Sequence, residues 1–201
     1  MKQVTGSSTS LPNIEVSIQL ALDGHSFSVR GLDTTAAGPA TAEILTPRTT
    51  LVPEAFAAPR NASEWLATAG LAPLADEITV CSAPQEGLVA VMALPAAALR
   101  QVQERFGQQL RFTTPLLDAP ASRRRSVLLR LRAGLLYIKV YDDTLRFAEV
   151  IPAPTEADTL ALIERLGAEF PLREYDLHLA GGEAKSLRRL LGKRFGKVSC
   201  E

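Results

Sequence analysis

A regular alternation of apolar and polar residues opens the interpretable part of the sequence. Residues 14–22, IEVSIQLAL, place a branched apolar residue at every second position, which is the period of a half-buried β-strand. Residues 25–32, HSFSVRGL, alternate in the same way. The Asp23-Gly24 pair between the two runs indicates a tight turn, because two-residue hairpin turns need residues that tolerate positive φ. The pattern therefore predicts an antiparallel β-hairpin.

The middle of the chain changes between short strands and short helices. Asn61 and Gly70 are typical residues for the start and the end of a helix, and the segment between them carries the single tryptophan. A second segment, which begins at a proline, has the three-to-four-residue apolar spacing of an amphipathic helix. Further strands are predicted at 41–46, 78–82 and 87–93, and the second helix is predicted at 95–106.

A segment with two prolines and several small residues, TTPLLDAPASRRR at 113–125, interrupts this pattern. We place a boundary between two lobes inside this segment. The first residues of the chain are polar and small, and we expect them to form a loose tail. The predicted organisation is therefore a flexible N-terminal tail over 1–12, an N-terminal lobe over 13–118 and a C-terminal lobe over 119–201.

The order of elements is easier to predict beyond this boundary. Three apolar runs separated by turn residues indicate three consecutive strands, and Thr155 is a typical N-cap for the amphipathic helix that follows them. A fourth strand ends at a glycine pair and passes into a basic helix, and KVSC is expected to form a last short strand. The four strands are predicted at 126–132, 135–141, 145–151 and 175–180, with turns at Ala133-Gly134 and Asp142-Asp143.

Composition and charge agree with a globular protein. The 201 residues are 46% hydrophobic and 22% charged, which provides enough apolar material for a sizeable core. Residues 1–120 carry 7 basic and 11 acidic side chains, a balance of −4, and residues 121–201 carry 15 and 11, a balance of +4. Opposite charges would let the two parts attract each other or face different partners. A chance distribution of surface charges would explain the same two charge balances.

Several classes of protein are disfavoured. No apolar run approaches the roughly 20 residues that a membrane-spanning helix needs, and the first ten residues lack the apolar core of a signal peptide. Cys81, Cys200, His25 and His178 match no metal-ligand or redox spacing. We therefore expect a soluble cytoplasmic protein that has no metal site and does not bind membranes, with structural roles for its two histidines.

The second half of the chain has the order β-β-β-α-β-α, and a strand ends there in a glycine pair before a helix. This order resembles the repeating lobe of the actin-like ATPase superfamily, and LHLAGGEAKSLRRLL is similar to the superfamily's adenosine motif. VSIQLALDGHSFSV and TTLVPEAF resemble, more narrowly, a family of uncharacterised Bacteroides-type bacterial proteins with a reduced actin-like fold. The resemblance spans most of residues 13–198. It implies an α/β fold of two ribonuclease H-like lobes, each a mixed sheet with helices, in a degenerate and minimal form.

The resemblance also implies where a vestigial nucleotide cleft would lie. The second phosphate loop falls on Arg132-Ala133-Gly134-Leu135, which offers no carboxylate to hold a magnesium ion or to orient an attacking water. We therefore expect no hydrolysis and no resident cofactor, with ATP and magnesium as the alternative. The candidate cleft residues are Asp23, Gly24 and Ser26 in the first phosphate loop, Gly134 in the second, and Gly181 and Gly182 in the adenosine motif.

The last helix carries a run of cations. Lys185, Arg188, Arg189 and Lys193, together with the cluster at 123–125, would suit the phosphate backbone of RNA or DNA. The alternative is a solvated helix face whose cations suit the helix C-terminus. Aromatic residues form 5% of the chain and do not interleave with the basic runs, which disfavours a protein that stacks single strands.

These observations favour a non-catalytic binding or scaffold protein whose partner is another protein. One alternative is a nucleotide-binding ATPase or phosphotransferase of the actin-like superfamily. An acidic residue near Gly134 and a longer glycine loop after Leu22 would have favoured that enzyme, and the sequence has neither. A second alternative is an RNA-associated accessory protein that uses the basic C-terminal helix.

Overall fold

The structure is a computed structural model that describes residues 14–21, 24–30, 40–106 and 110–200. Twelve strands and four α-helices lie within these ranges. They are β1 (Ile14–Ala21), β2 (Gly24–Arg30), β3 (Ala40–Leu45), β4 (Thr49–Pro53), α1 (Ala62–Thr68), β5 (Glu77–Cys81), β6 (Leu88–Pro95), α2 (Ala96–Phe106), β7 (Leu110–Thr113), β8 (Ser126–Arg132), β9 (Leu135–Asp142), β10 (Thr144–Pro152), α3 (Glu156–Glu169), β11 (Asp176–Ala180), α4 (Ala184–Leu191) and β12 (Lys197–Cys200).

The first of three sheets, the N-terminal sheet, has the order β2-β1-β3-β7. The hairpin expected at its start is confirmed, because β1 and β2 are antiparallel and Ala21 pairs with Gly24. Gly24 therefore begins β2 instead of forming the turn that the sequence predicts for the Asp23-Gly24 pair. The turn itself, including Asp23, lies outside the described residues. β3 runs parallel to both β1 and β7.

The middle sheet, with the order β4-β6-β5, is inserted in the sequence between β3 and β7. Alternate residues of β6 face opposite sides, as the pleat of a strand requires. Val91 and Ala93 pack against α1, whereas Met92 and Leu94 belong to the core that includes β3 and α2. The strands predicted at 78–82 and 87–93 are confirmed within two residues, whereas β4 and β7 were not predicted from the sequence.

The C-terminal sheet has the order β10-β9-β8-β11-β12. β8, β9 and β10 form an antiparallel meander, and β11 runs parallel to both β8 and β12. All five strands were predicted from the sequence. Ala133 and Gly134 form the β8–β9 turn with φ of 50° and 71°, and Asp143 has φ of 60° in the next turn. The order β9-β8-β11-β12 repeats the order β2-β1-β3-β7, so the two sheets share a hairpin followed by two parallel strands.

Helices α3 and α4 cover one face of the C-terminal sheet. Ile163 of α3 and Leu187 of α4 share a buried core with Leu177 of β11. Thr155 caps α3 as predicted, since its hydroxyl accepts from the amide of Asp158 and the Asp158 carboxylate accepts from the amide of Thr155. None of the described helices has both the length and the apolar character needed to cross a membrane.

The three sheets meet through a small apolar cluster. Leu135 and Tyr137 of β9 are buried in it together with Leu45 of β3 and Leu116. Leu116 belongs to the connecting segment, by which we mean residues 114–125 between β7 and β8. Strands β1 to β3 and strands β8 to β10 belong to separate sheets, as an actin-like arrangement requires. The division of the chain into lobes at residues 118 and 119 stays a prediction.

Candidate functional site

The carboxyl ends of parallel strands are where α/β sheets most often bind ligands. β8 and β11 are parallel with Arg130 opposite Ala180, so the β8–β9 turn and Gly181 lie at the same edge of the C-terminal sheet. In the N-terminal sheet Gln19 pairs with Leu45, so the end of the first hairpin and the end of β3 share one edge. We call the place where these two edges meet the seam. Its residues are Glu43, Leu45, Thr114, Asp118, Arg130, Arg132, Tyr137 and Gly181.

Gly181 is the point where β11 ends, and its neighbour across the sheet is an arginine. Its φ is 88°, and a Cβ atom placed on it would lie 3.3 Å from Nε and 3.6 Å from Cγ of Arg130. Glycine is required here both for the backbone conformation and for the close approach of this side chain. The guanidinium of Arg130 continues to the carboxylate of Asp118, with which it forms an ion pair. Arg130 therefore occupies the space that Gly181 leaves open.

Gly182 differs from its neighbour. A Cβ atom on Gly182 would meet no atom within 4 Å, and the residue is exposed. The glycine pair and the helix after it have the arrangement that the sequence predicts, since α4 begins at Ala184. Packing explains the first glycine of the pair and does not explain the second.

The position of the second phosphate loop is a closed two-residue turn. Arg132 pairs with Leu135 on either side of it. The carbonyl of Gly134 accepts a hydrogen bond of 2.7 Å from the amide of Ala153, and a Cβ atom on Gly134 would lie 3.8 Å from the Cα of Pro154. This turn leaves no loop that could wrap around a phosphate.

The structure brings together only some of the candidate cleft residues. Gly134 and Gly181 share the seam edge of the C-terminal sheet, and Gly182 follows directly. Gly24 and Ser26 lie in β2, where they pair with Ala21 and Gln19 of β1. These two are strand positions, so the structure gives them no loop geometry.

Charged groups cross the seam and surround a buried hydroxyl. The guanidinium of Arg132 lies 2.9 Å from the carboxylate of Glu43, which joins the C-terminal sheet to the N-terminal one. Tyr137 is 2% exposed, and its burial raises the pKa of its phenol, with the negative charge of Glu43 acting in the same direction. The phenol therefore stays protonated at any physiological pH.

The connecting segment is attached to the same sheet by a buried lysine. Lys139 is 2% exposed, and its ammonium donates a hydrogen bond of 2.7 Å to the carbonyl of Asp118. Removal from water disfavours the charged amine and lowers the pKa of Lys139 to about 8, against the opposing charge of Asp118. Asp118 is thus bound through its carbonyl by Lys139 and through its carboxylate by Arg130.

Comparison with known proteins identifies this arrangement of sheets. No family model matches the sequence, and no curated protein does. A solved structure from Bacteroides thetaiotaomicron, described as a protein with actin-like ATPase fold and unknown function, superposes with a TM-score of 0.70. The superposition covers 94% of this chain and 90% of that chain at 14% identity. This chain has the actin-like ATPase fold.

The fold expected from the resemblance is therefore confirmed. A second solved structure, the cytoplasmic domain of EpsL, an inner membrane component of the type II secretion system of Vibrio cholerae, is similar with a TM-score of 0.41. It is 10% identical, and the match covers 94% of this chain and 85% of that chain.

The basic residues at the C-terminal end of this actin-like fold divide into two groups. Arg125 pairs with Glu174 at 2.6 Å, Arg194 pairs with Glu164 at 3.2 Å, and Arg123 pairs with Glu86. The other group is exposed and forms no ion pair with any described residue; it comprises Lys185, Arg188, Arg189 and Lys193. α4 ends at Leu191, so the predicted position of Lys193 on the last helix is wrong, and this residue lies in the turn beyond it.

Sequence reasoning missed the residues that fill the seam. Glu43, Asp118 and Arg130 were not among the candidates, although Arg130 and Arg132 are the polar positions in the alternating run SVLLRLR. That alternation indicates a strand with one polar face, and it does not indicate which acidic groups meet the arginines. Within the described ranges no three His, Cys, Asp or Glu side chains are grouped so that they could hold a metal ion.

Proposed function

We propose that this protein is a non-catalytic binding or scaffold protein, in which the protein's own side chains occupy the place of a nucleotide in the actin-like fold. The observation that carries the proposal is the position of Arg130, whose side chain covers Gly181 and pairs with Asp118. A flat base or ribose approaching Gly181 would have to displace this side chain. The cost would include leaving the Asp118 carboxylate without its partner.

The charges in the seam support the same proposal. Phosphates bind most readily to arginines that lack a partner, whereas Arg130 and Arg132 are already neutralised by Asp118 and Glu43. A magnesium ion needs oxygen ligands, but the residue before the β8–β9 turn is an arginine, whose side chain has no oxygen atom. These features oppose the alternative of an active ATPase or phosphotransferase.

The proposal is tested by thermal unfolding with and without millimolar ATP or ADP and magnesium. A ligand at 100 times its dissociation constant adds about 2.7 kcal/mol to the free energy of unfolding, which moves the midpoint by a few degrees. We expect no shift for the wild type. A saturable upward shift that is lost in Gly181→Val and kept in Ser186→Ala would overturn the proposal and support the enzyme.

The proposed partner is another protein, and we expect it to bind at two exposed apolar residues in the segments that follow β4 and α1. Phe56 is 63% exposed and Leu74 is 54% exposed, whereas large apolar side chains are usually covered. The indole of Trp65 donates a hydrogen bond to the carbonyl of Phe56. In affinity purification, the wild type should retain a partner protein. A Phe56→Ser, Leu74→Ser double variant should not retain it. Equal recovery by both would place the interaction elsewhere.

A second candidate function is RNA association through the basic end of the fold. It is favoured by the exposure of Lys185, Arg188 and Arg189 on α4 without ion-pair partners among the described residues. Such binding should weaken steeply with salt and be indifferent to sequence. The double variant Lys185→Glu, Arg189→Glu should lose binding to a heparin column and to RNA, whereas Arg194→Glu, a residue already paired with Glu164, should change it much less.

A further inference from the structure

A second concave site lies away from the seam, between the first residues of β11 and β12 and the connecting segment. The cavity has a volume of about 180 Å³. It is lined by Ala121, Asp176, His178, Lys197 and Ser199. His178 and Asp176 of β11 lie three and five residues before Gly181, so at about 3.3 Å per residue the cavity is roughly 10–16 Å from the glycine pair along the strand. The two sites are therefore distinct.

The register of two parallel strands brings four polar side chains to this cavity. Asp176 pairs with Lys197, and His178 pairs with Ser199. Because side chains alternate along a strand, all four lie on one face of the sheet, whereas Leu177 faces the core on the other side. His178 is 8% exposed and its Nδ1 lies 3.0 Å from the hydroxyl of Ser199, so these two groups form the deeper part of the site.

The charges of the cavity are opposite and adjacent. Asp176 and Lys197 occupy neighbouring positions on the two strands, and no ion pair within 4 Å joins them in the part of the chain that the structure describes. A ligand that carries both charges would satisfy both groups at once. The volume of the cavity suits a molecule of a few heavy atoms.

We propose that this cavity binds a small zwitterion, with a free α-amino acid as its chemical class. The ligand's ammonium group binds the carboxylate of Asp176, and its carboxylate binds the ammonium of Lys197. The hydroxyl of Ser199, which lies 3.0 Å from Nδ1 of His178, is a neutral polar group in the same cavity. Ala121 of the connecting segment completes the lining of the cavity.

Isothermal titration with the full chain tests this proposal, with glycine and alanine as probes and acetate and methylammonium as single-charge controls. We expect saturable binding of the amino acids, and binding of each single-charge control at least roughly tenfold weaker, because each control satisfies only one of the two charged groups. Binding of acetate as tight as that of glycine would overturn the proposal and indicate a simple anion site. No binding of either amino acid at millimolar concentration would overturn it as well.

Variants connect the binding to the cavity. Asp176→Asn and Lys197→Met each keep the size of the side chain and should weaken glycine binding roughly tenfold or more. Lys193→Met makes the same change of charge outside the cavity and should leave binding unchanged. Ala121→Trp fills the cavity from the connecting segment and should abolish binding while the thermal midpoint without ligand is kept. Unchanged binding in Asp176→Asn and Ala121→Trp would show that the amino acids bind elsewhere.

Discussion

The guanidinium of Arg132, at the end of β8, lies 2.9 Å from the carboxylate of Glu43 in β3. The two side chains are 27% and 21% exposed, so water screens their attraction only in part. This ion pair joins the C-terminal sheet to the N-terminal sheet at the seam. The apolar cluster of Leu45, Leu135 and Tyr137 joins the same two sheets.

Removing the charge of Glu43 should therefore destabilise the protein. We expect Glu43→Gln to lower the free energy of unfolding by about 1–3 kcal/mol, because the half-buried guanidinium of Arg132 loses its charged partner. Glu164→Gln is the matched control, since Glu164 is 70% exposed and its ion pair with Arg194 should contribute about 0–1 kcal/mol. Urea unfolding of both variants measures the difference. Equal losses of unfolding free energy in the two variants would show that the Glu43–Arg132 pair stabilises the protein no more than an exposed ion pair does.

The two glycines after β11 should respond differently to the same substitution. Gly181→Ala places a Cβ atom 3.3 Å from Nε of Arg130 on a backbone with φ of 88°, and we expect a loss of about 1–3 kcal/mol. Gly182→Ala meets no atom within 4 Å and should be neutral or slightly stabilising. Thermal unfolding of the two single variants measures this contrast. If Gly181→Ala kept the stability of the wild type while Gly182→Ala lowered it, the result would contradict the packing described for Arg130.

Lys139 predicts a dependence of stability on pH. Burial lowers its pKa to about 8 from an ordinary value of 10.5, so between these two values the unfolded chain binds more protons than the folded one. The contribution of Lys139 to the free energy of unfolding therefore rises with pH through this window, as the buried amine becomes neutral. Cys81 and the buried tyrosines have raised pKa values and act in the opposite direction, so the wild type must be compared with Lys139→Met.

Urea unfolding at pH 7 and pH 9.5 makes that comparison. We expect the free energy of unfolding of the wild type to increase relative to that of Lys139→Met as the pH rises. Parallel pH profiles for the two proteins would show that the amine of Lys139 is not perturbed in the folded state. Lys193→Met, which removes an exposed amine, provides the control for the loss of one positive charge.

The N-cap of α3 predicts a local effect. Thr155→Ala removes the hydroxyl that accepts from the amide of Asp158, and we expect a loss of about 1 kcal/mol. Thr155→Ser keeps the hydroxyl and should be close to the wild type. Equal stability of the serine and alanine variants would mean that the cap adds nothing in this context.

The parts of the fold that were predicted correctly depend on local signals. The β8–β9 hairpin follows from two apolar runs around Ala133-Gly134, and the start of α3 follows from Thr155. β4 and β7 were not predicted, although β5 and β12 are equally short and were. β4 pairs with β6 and β7 pairs with β3, and these partners are distant in the sequence, so no local signal indicates the pairing.

The candidate site was predictable only as an outline. The glycine pair after β11 is visible in the sequence, and its position at the edge of a sheet was expected. The groups that cover it cannot be identified from the sequence, because Asp118 and Arg130 come from separate segments and Glu43 and Arg132 come from strands of two different sheets. Such contacts depend on how sheets pack, and a single sequence carries no direct record of that packing.

The chain passes once from the N-terminal and middle sheets to the C-terminal sheet, through the residues between β7 and β8. Lys139 and Arg130 anchor this crossing at Asp118, by its carbonyl and its carboxylate. In a swapped dimer, two copies of a protein exchange identical halves. The residues between β7 and β8 would then have to extend away from their own chain. Both anchors would have to break for this to happen, so they oppose the formation of such swapped dimers.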